Sequence, residues 1–362
     1  DAGQTIMQAA DAAGIYTPRL CAHAKLAPGG HCRVCSVKVN GKVTNACTMP
    51  VANGMDVEND TPEMTAHRRR IVEMLFVEGN HFCPFCQVSG GDCELQNAAL
   101  DLGMTHWPLS PNYQPYAVDA SHPYFVLDNN RCILCHRCIR ACGELVGNYT
   151  LGVEERGAKS FLVADLGTPI GQSSCISCGV CVQVCPTGAL IDRVSAYRGK
   201  ELQVDHHKTI CVGCSVGCGI DVLTRDNHLV RIEGIWDSPV SGGLTCEIGR
   251  FKPLEDQGER ITQPYIRKNG ALRAATWEEA LDSVSAHLKP VEGKAKDGVS
   301  ALISTRQSIE TLALFKHIFS DHLKSENVTT VEEEKPSTAA LVAGELGWPF
   351  EGTMADIQTA DC

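Results

Sequence analysis

The hydrophobic pattern at the start of the chain predicts a short helix and then a β-hairpin. Gly14 ends the helix. The apolar residues that share one face of this helix are Ile6, Met7, Ala9, Ala10 and Ala13. Apolar and polar residues then alternate over residues 36–39 and 42–44, on either side of Asn40-Gly41. This arrangement is typical of a hairpin with a type I′ turn.

A second helix and a long irregular stretch are predicted next. Thr61 suits the N-cap and Pro62 the first helical position, and the apolar pattern then runs towards Gly79. Three consecutive arginines, residues 68–70, fall inside this helix, and we interpret them as part of its solvated face. Prolines interrupt residues 97–131, so this stretch is expected to be rich in loops.

The last part of the chain alternates between strands and helices. A hairpin is predicted over residues 220–223 and 229–232. The elements predicted after it are a strand over 299–304, a helix over 309–323, a strand over 328–331 and a helix over 337–346. Strand, helix, strand, helix predicts the start of a doubly wound α/β domain, and we expect that domain to continue past residue 362.

Length and charge narrow the class of protein. The 362 residues suffice for roughly two to four domains. A net charge of −11 provides no electrostatic footprint for nucleic acid. There is no visible signal peptide and no apolar run near the roughly 18 residues of a membrane helix. We therefore expect a cytoplasmic protein, or one peripheral to the cytoplasmic membrane through its partners. Because the chain opens in mid-pattern without an initiator Met, we expect a piece of a longer subunit.

Twenty cysteines dominate the candidate chemistry, and eight of them form one pattern written twice. Each copy is C-x2-C-x2-C-x3-C, which wraps a [4Fe–4S] cluster and lends its fourth cysteine to the other cluster. The two crossed ligand sets are Cys132, Cys135, Cys138 with Cys185, and Cys175, Cys178, Cys181 with Cys142. Zinc sites and disulfides fit this spacing less well.

Two further groups of four cysteines flank the repeated pattern. In the first group three cysteines precede the predicted hairpin and the fourth follows it, and a cysteine-bearing loop against a small sheet is the usual seat of a [2Fe–2S] centre. Zinc is the alternative for this group. The second group, with its glycines, fits a [4Fe–4S] cluster beside a hairpin. The groups are Cys21, Cys32, Cys35 and Cys47, and then Cys211, Cys214, Cys218 and Cys246.

Three more cysteines, Cys83, Cys86 and Cys93, need a fourth ligand to close a four-iron site. His81 is the candidate, although a lone histidine is more often an ordinary core or surface residue. Nineteen cysteines and His81 make twenty ligands, which is five clusters of four and leaves only Cys362 over. This count favours His81 as a ligand.

Several motifs resemble known families. Residues 1–60 resemble the plant-type ferredoxin (β-grasp) domain of complex I and hydrogenase subunits, without its first hairpin. The motifs GNHFCP at 79–84 and CELQ at 93–96 resemble the [4Fe–4S] domain with one histidine and three cysteine ligands. Many members place three residues between the His and the first Cys, whereas this chain has one, so the ligand register is open. The motifs CVGCSVGCG, GLTC, GRF, RITQP and ATWEEAL, between residues 211 and 281, resemble molybdopterin oxidoreductases.

These resemblances imply an α+β multidomain protein. The expected domains are 1–60, a [2Fe–2S] ferredoxin-like β-grasp domain truncated at its N-terminus; 61–120, the histidine-ligated [4Fe–4S] domain; 121–200, a double [4Fe–4S] ferredoxin module; 201–262, a [4Fe–4S] domain of molybdopterin oxidoreductase type; and 263–362, the start of an α/β domain. One [2Fe–2S] and four [4Fe–4S] clusters follow, and molybdopterin is not expected in this fragment.

The implied function is electron transfer in a relative of the large iron–sulfur subunit of complex I. Expected partners are a flavin- and NAD(H)-binding iron–sulfur subunit, a small [2Fe–2S] subunit and further redox subunits of a hetero-oligomer. We assign no catalytic residue, and no nucleotide-binding motif is present. The alternative is the catalytic α subunit of an NAD-dependent molybdenum or tungsten formate dehydrogenase. Those enzymes carry a Cys or selenocysteine metal ligand where residues 328–338 offer no cysteine. A purely structural protein would not need five clusters.

Overall fold

The structure is a computed structural model that describes residues 3–83, 86, 88, 92–106, 109–214, 216–256, 258, 261–292, 298–304 and 307–330. The chain divides into two compact units, one of Asp1–Ile210 with Cys218–Glu255 and one of Cys211–Gly217 with Asp256–Cys362. The helix predicted over 337–346 and residue Cys362 lie outside the described residues. Among the described residues, no helix is both long and apolar enough to cross a membrane.

The first unit opens with a helix against a small sheet. Thr5 and Gln8 form a capping box at the start of the helix. Asn40 and Gly41 both have positive φ, 46° and 80°, which agrees with the predicted type I′ hairpin. The sheet has the order β2-β1-β3 with antiparallel pairs. The elements are α1 (Ile6–Ala12), β1 (Ser36–Val39), β2 (Lys42–Asn45) and β3 (Val57–Glu58).

The second helix, α2 (Pro62–Glu78), begins as predicted but buries an arginine. The Thr61 side chain caps it by accepting a hydrogen bond from the Met64 backbone N–H. The interpretation of residues 68–70 as a solvated face is wrong for Arg68, which is 3 % exposed. Its guanidinium donates to the Ser36 carbonyl at 3.0 Å and to the Asn59 side chain at 2.7 Å. Arg68 thereby ties α2 to the end of the small sheet.

A short helix that the sequence did not predict, α3 (Glu94–Asp101), overlaps the start of the stretch that was expected to be rich in loops. Leu95 and Ala99 on its inner face pack with Val72 and Phe76 of α2 in one core cluster. From Leu102 to the next strand the described chain contains no further helix or strand, as predicted.

Two antiparallel strand pairs and two short helices form the centre of the first unit. In the sequence, one of these pairs lies between the two strands of the other pair. The first and the last of the four strands are therefore hydrogen-bonded neighbours. The pairs are β4 (Phe125–Leu127) with β7 (Leu190–Asp192), and β5 (Leu151–Glu154) with β6 (Phe161–Ala164). The helices are α4 (Arg137–Arg140), continued by a π-helical turn at Ala141–Leu145, and α5 (Val180–Gln183).

The first unit ends in a three-stranded antiparallel sheet of order β10-β9-β8 and two helical turns. The predicted hairpin is β9 (Gly219–Arg225) and β10 (His228–Gly234), whereas β8 (Asp205–Ile210) was not predicted. The helical turns are α6 (Glu247–Arg250) and α7 (Lys252–Glu255). Phe251 between them is fully buried and stacks on Tyr124, with the ring centroids 4.5 Å apart.

The second unit contains a hairpin, a helix and a β-α-β segment. The hairpin is β11 (Tyr265–Lys268) with β12 (Ala271–Ala274), and Thr276 caps α8 (Trp277–Leu288) through a capping box. Strands β13 (Ser300–Ile303) and β14 (Asn327–Thr330) are parallel and are joined through α9 (Ile309–Lys316) and a π-helical turn at His317–His322. The predicted strand, helix, strand order is confirmed over these residues.

Short 3-10 turns complete the described structure, at Asn129–Arg131, Gly157–Lys159, Ile170–Gln172, Glu201–Gln203 and Lys289–Val291.

Candidate iron–sulfur centres

The four cysteines before and after the first hairpin meet in the structure. All four are buried: Cys21, Cys32, Cys35 and Cys47. The Cys21 backbone N–H lies 3.3 Å from the Cys32 sulfur. Hydrogen bonds from Cys32 and Cys47 lower the pKa of Cys21, and a hydrogen bond from Cys47 lowers the pKa of Cys35 to about 7. The same contacts raise the pKa of Cys32 and Cys47. Four buried thiols linked in this way, Cys21 to Cys32 and Cys47 and Cys47 to Cys35, fit the four-cysteine donor set of a [2Fe–2S] cluster.

The repeated cysteine runs form two cavities, and each cavity takes its cysteines from both runs. The first cavity is lined by Cys132, Cys135, Cys138 and Cys185. The second is lined by Cys142, Cys175, Cys178 and Cys181. The geometry therefore groups the sulfurs in the crossed way that two adjacent [4Fe–4S] clusters require. Their role as ligands stays a prediction.

Equivalent residues of the two runs share an unusual backbone. Leu134 and Ser177 have φ of 48° and 58°, a left-handed conformation that non-glycine residues seldom adopt. Their N–H groups lie 3.4 and 3.5 Å from the sulfurs of Cys132 and Cys175. Amide donors to sulfur stabilise the thiolate form and tune a bound cluster. The strained turn is thus compensated by a contact that suits a cluster ligand.

Burial makes these thiols difficult to ionise without a bound cation. It raises the pKa of Cys132 to about 12, and it raises the pKa of Cys138 and Cys181 well above the ordinary value. A buried thiolate needs a compensating positive charge, and iron supplies it. The donor set therefore fits a metal cluster better than a set of free thiolates.

His81 has the environment of a neutral ligand. The side chain is buried, and its Nε2 atom has no hydrogen-bond partner among the described residues. Burial and the positive charge of Arg131 lower the pKa of His81 to about 4, so the ring is neutral at neutral pH. The ring packs edge-on against Phe76, which belongs to the same core cluster as Cys93. A buried ring nitrogen without a hydrogen-bond partner fits a metal ligand.

The loop that carries the other two cysteines of this candidate site is partly outside the described residues, at 84, 85, 87 and 89–91. Cys83 is half-buried, with its sulfur 3.7 Å from the His81 carbonyl oxygen. Burial raises the pKa of Cys93 to about 12. The assignment of His81, Cys83, Cys86 and Cys93 to one cluster stays a prediction.

The last predicted cysteine set is divided between the two units. Cys211 and Cys214 belong to the second unit, and Cys218 and Cys246 belong to the first. The Gly213 N–H lies 3.4 Å from the Cys211 sulfur, the same contact that the repeated runs make. The joint ligand role of these four residues stays a prediction. Across the described part of the chain, no group of three or more His, Cys, Asp or Glu is arranged around a single metal ion.

Buried Arg250 joins the centre of the first unit to its last sheet. The guanidinium donates to the Cys178 carbonyl at 2.9 Å, the Ile232 carbonyl at 3.1 Å and the Gln183 side chain at 2.6 Å. A β-carbon at Gly179 would lie 2.4 Å from Arg250 Cδ. Sequence reasoning noticed the GRF motif around Arg250 only as a resemblance and missed this role.

Five family models match the chain in order. They are the 2Fe-2S iron-sulfur cluster binding domain at residues 1–62, the NADH-ubiquinone oxidoreductase-G iron-sulfur binding region at 68–108, the ferredoxin-like domain of NADH-quinone oxidoreductase subunit 3 at 122–191, the molybdopterin oxidoreductase Fe4S4 domain at 205–253 and molybdopterin oxidoreductase at 260–362. The chain thus contains [2Fe–2S] and [4Fe–4S] binding domains followed by a molybdopterin oxidoreductase segment.

Curated relatives include two kinds of oxidoreductase. A G-type subunit of NADH-quinone oxidoreductase from Rhizobium meliloti is 34 % identical over 91 % of this chain and 38 % of the relative. A putative formate dehydrogenase of Bacillus subtilis is 30 % identical over 99 % of this chain and 41 % of the relative. The chain therefore spans about two fifths of the length of these relatives.

A solved structure shares the fold of part of the chain. It is a crystal structure of NAD+-reducing [NiFe]-hydrogenase in the H2-reduced state, with 39 % sequence identity and a TM-score of 0.51. The match covers 54 % of this chain and 83 % of the hydrogenase chain.

Replacing Gly179 should destabilise the centre of the first unit. Gly179 has φ of +71°, and an added β-carbon would collide with Arg250. We expect Gly179→Ala to lower the free energy of unfolding by about 3 kcal/mol, because left-handed backbone strain and overpacking both act on it. Gly54→Ala is the matched control, because Gly54 has φ of +77° and open space around it. Gly54→Ala should lower the free energy of unfolding by about 1 kcal/mol. The measurement is the melting temperature of each anaerobically purified variant, and equal losses would contradict the proposed clash.

Proposed function

We propose a function from the similarity of this chain to the G-type subunits of NADH-quinone oxidoreductase and to formate-dehydrogenase-like oxidoreductases. The chain would be a multi-cluster electron-transfer subunit of an NADH-linked complex. It would relay single electrons between a flavin- and NAD(H)-binding partner and a second redox site. The observation that carries the proposal is the pair of cavities that each collect four cysteines across the repeated runs.

The proposed cofactors are one [2Fe–2S] and four [4Fe–4S] clusters, the former on a β-grasp domain. A bound cluster accepts and returns one electron at a potential that its surroundings set. The protein contributes the ligands, excludes water by burial and directs backbone N–H groups at the sulfurs. The ligand sets would be Cys21, Cys32, Cys35, Cys47; His81, Cys83, Cys86, Cys93; Cys132, Cys135, Cys138, Cys185; Cys142, Cys175, Cys178, Cys181; and Cys211, Cys214, Cys218, Cys246.

The proposed partners are a flavin- and NAD(H)-binding iron–sulfur subunit, a small [2Fe–2S] subunit and further redox subunits. The names of the relatives support the link to NAD(H), since one is an NADH-quinone oxidoreductase subunit and one structure is of an NAD+-reducing hydrogenase. We propose a cytoplasmic location, or a peripheral place at the cytoplasmic membrane through these partners.

The second candidate function is that of a formate dehydrogenase catalytic subunit. It is favoured by putative formate dehydrogenases that match 99 % of the chain. It is disfavoured by residues 328–338, which carry three consecutive glutamates and no cysteine where those enzymes place a soft metal ligand.

Iron and acid-labile sulfide analysis tests the proposed function. Anaerobically purified protein should contain about eighteen of each per chain, because one [2Fe–2S] and four [4Fe–4S] clusters hold that many. Stoichiometric zinc with little sulfide would refute the proposal.

Replacing His81 by cysteine tests whether His81 is a cluster ligand, the one proposed ligand that is not a cysteine. The exchange of a neutral imidazole for an anionic thiolate adds negative charge, so the reduction potential of that one cluster should fall. A redox titration followed by EPR should show one midpoint moved downward and the others in place. His67→Cys, at an exposed position of α2, should move none. If His81→Cys also moves none, His81 is not a ligand.

A formate-dependent dye-reduction assay separates the two candidate functions. We expect the full-length subunit to hold no stoichiometric molybdenum or tungsten and to oxidise no formate, since carboxylates are hard ligands and suit a solvated turn. Stoichiometric metal together with formate turnover would instead establish the second candidate.

A further inference from the structure

Arg137 is a buried cation between three of the predicted cluster sites. It lies at the start of α4, between Cys135 and Cys138, and its side chain is 4 % exposed. Buried arginines in proteins remain charged, so the guanidinium carries its full positive charge here.

Three hydrogen-bonding segments converge on this guanidinium. Nη1 and Nη2 donate to the two carboxylate oxygens of Glu94, at 2.5 and 2.8 Å. Nη2 also donates to the Ala22 carbonyl at 2.8 Å, and Nη1 lies 3.5 Å from the Val184 carbonyl. Each of these residues is next to a predicted ligand in sequence. The neighbouring ligands are Cys21, Cys93 and Cys185.

One donor of Arg137 is left over. Its Nε atom is buried and has no hydrogen-bond partner within the described residues. An unpaired buried donor costs free energy of about 1–3 kcal/mol, more for a charged group. Cys135 and Cys185 both interact electrostatically with this guanidinium. Thiolate and sulfide sulfurs of a cluster bound by Cys135 and Cys185 would provide the acceptor that the described residues do not.

The ion pair with Glu94 does not cancel the charge at the cluster. Glu94 is 45 % exposed at its side chain, so solvent and salt screen its negative charge. Arg137 is buried, where charge interactions are screened much less. The net electrostatic effect of Arg137 and Glu94 on a cluster held by Cys132, Cys135, Cys138 and Cys185 is therefore that of a positive charge.

We propose that Arg137 is a positioning residue that holds the ligand segments of three clusters in register and, as a buried cation, raises the reduction potential of the cluster bound by Cys132, Cys135, Cys138 and Cys185. The inference rests on the proposed function, because it requires a bound cluster. A positive charge favours the reduced, more negative state of a nearby cluster.

The test is a redox titration followed by EPR on the anaerobically purified chain. Arg137→Gln should lower the midpoint of this cluster, because a cation is lost. Glu94→Gln should raise the same midpoint, by a smaller amount, because a screened anion is lost. Arg137→Lys keeps the positive charge but loses the planar set of hydrogen-bond donors, so its midpoint potential should stay close to that of the unmodified chain. Lys38→Gln is the control, since the exposed Lys38–Glu63 pair is screened and should move no midpoint.

A merely structural ion pair would not give shifts of opposite sign. An assembled cluster with an unchanged midpoint in Arg137→Gln overturns the inference. If Arg137→Gln fails to assemble its clusters, Glu94→Gln decides, and the absence of an upward shift there also overturns it. Absence of iron–sulfur signals in the unmodified chain would instead refute the proposed function.

Discussion

The cost of burying many sulfurs close together is the constraint on which this molecule depends. A buried thiol resists ionisation, as the raised pKa of Cys132 and Cys93 shows. Clusters need thiolates, so each site must supply compensating charge or dipoles. Backbone N–H groups at Leu134 and Ser177 supply dipoles to two of the sulfurs, and the buried cation Arg137 is the charge that we propose for this role. Iron would supply the remainder.

The same constraint accounts for the way in which segments of the first unit depend on one another. Crossing the fourth cysteine of each run into the other cavity makes the two halves of the repeat mutually dependent. Arg137 extends this dependence to the segments beside Cys21 and Cys93, and Arg250 extends it to the last sheet. An apolar core cluster joins the same segments, with Leu20, Leu95 and Ile133 packed together.

Most predictions came from the spacing of the cysteines and from the residue preferences of turns and helix caps. The type I′ hairpin and the Thr61 cap depend on local backbone preferences, and the structure confirms both. Strand β8 was missed because all its residues are exposed, so no alternation marks it. The burial of Arg68 and the hydrogen bonds of Arg137 were missed because their partners are distant in sequence. A single sequence contains no local signal for such contacts.

Anomalous diffraction at the iron edge, from crystals grown anaerobically, tests the central claim most directly. We expect a four-iron peak in each of the two cavities, with Cys185 among the ligands of one and Cys142 among the ligands of the other. Iron bound within a single cysteine run, or anomalous signal from zinc in its place, would contradict it.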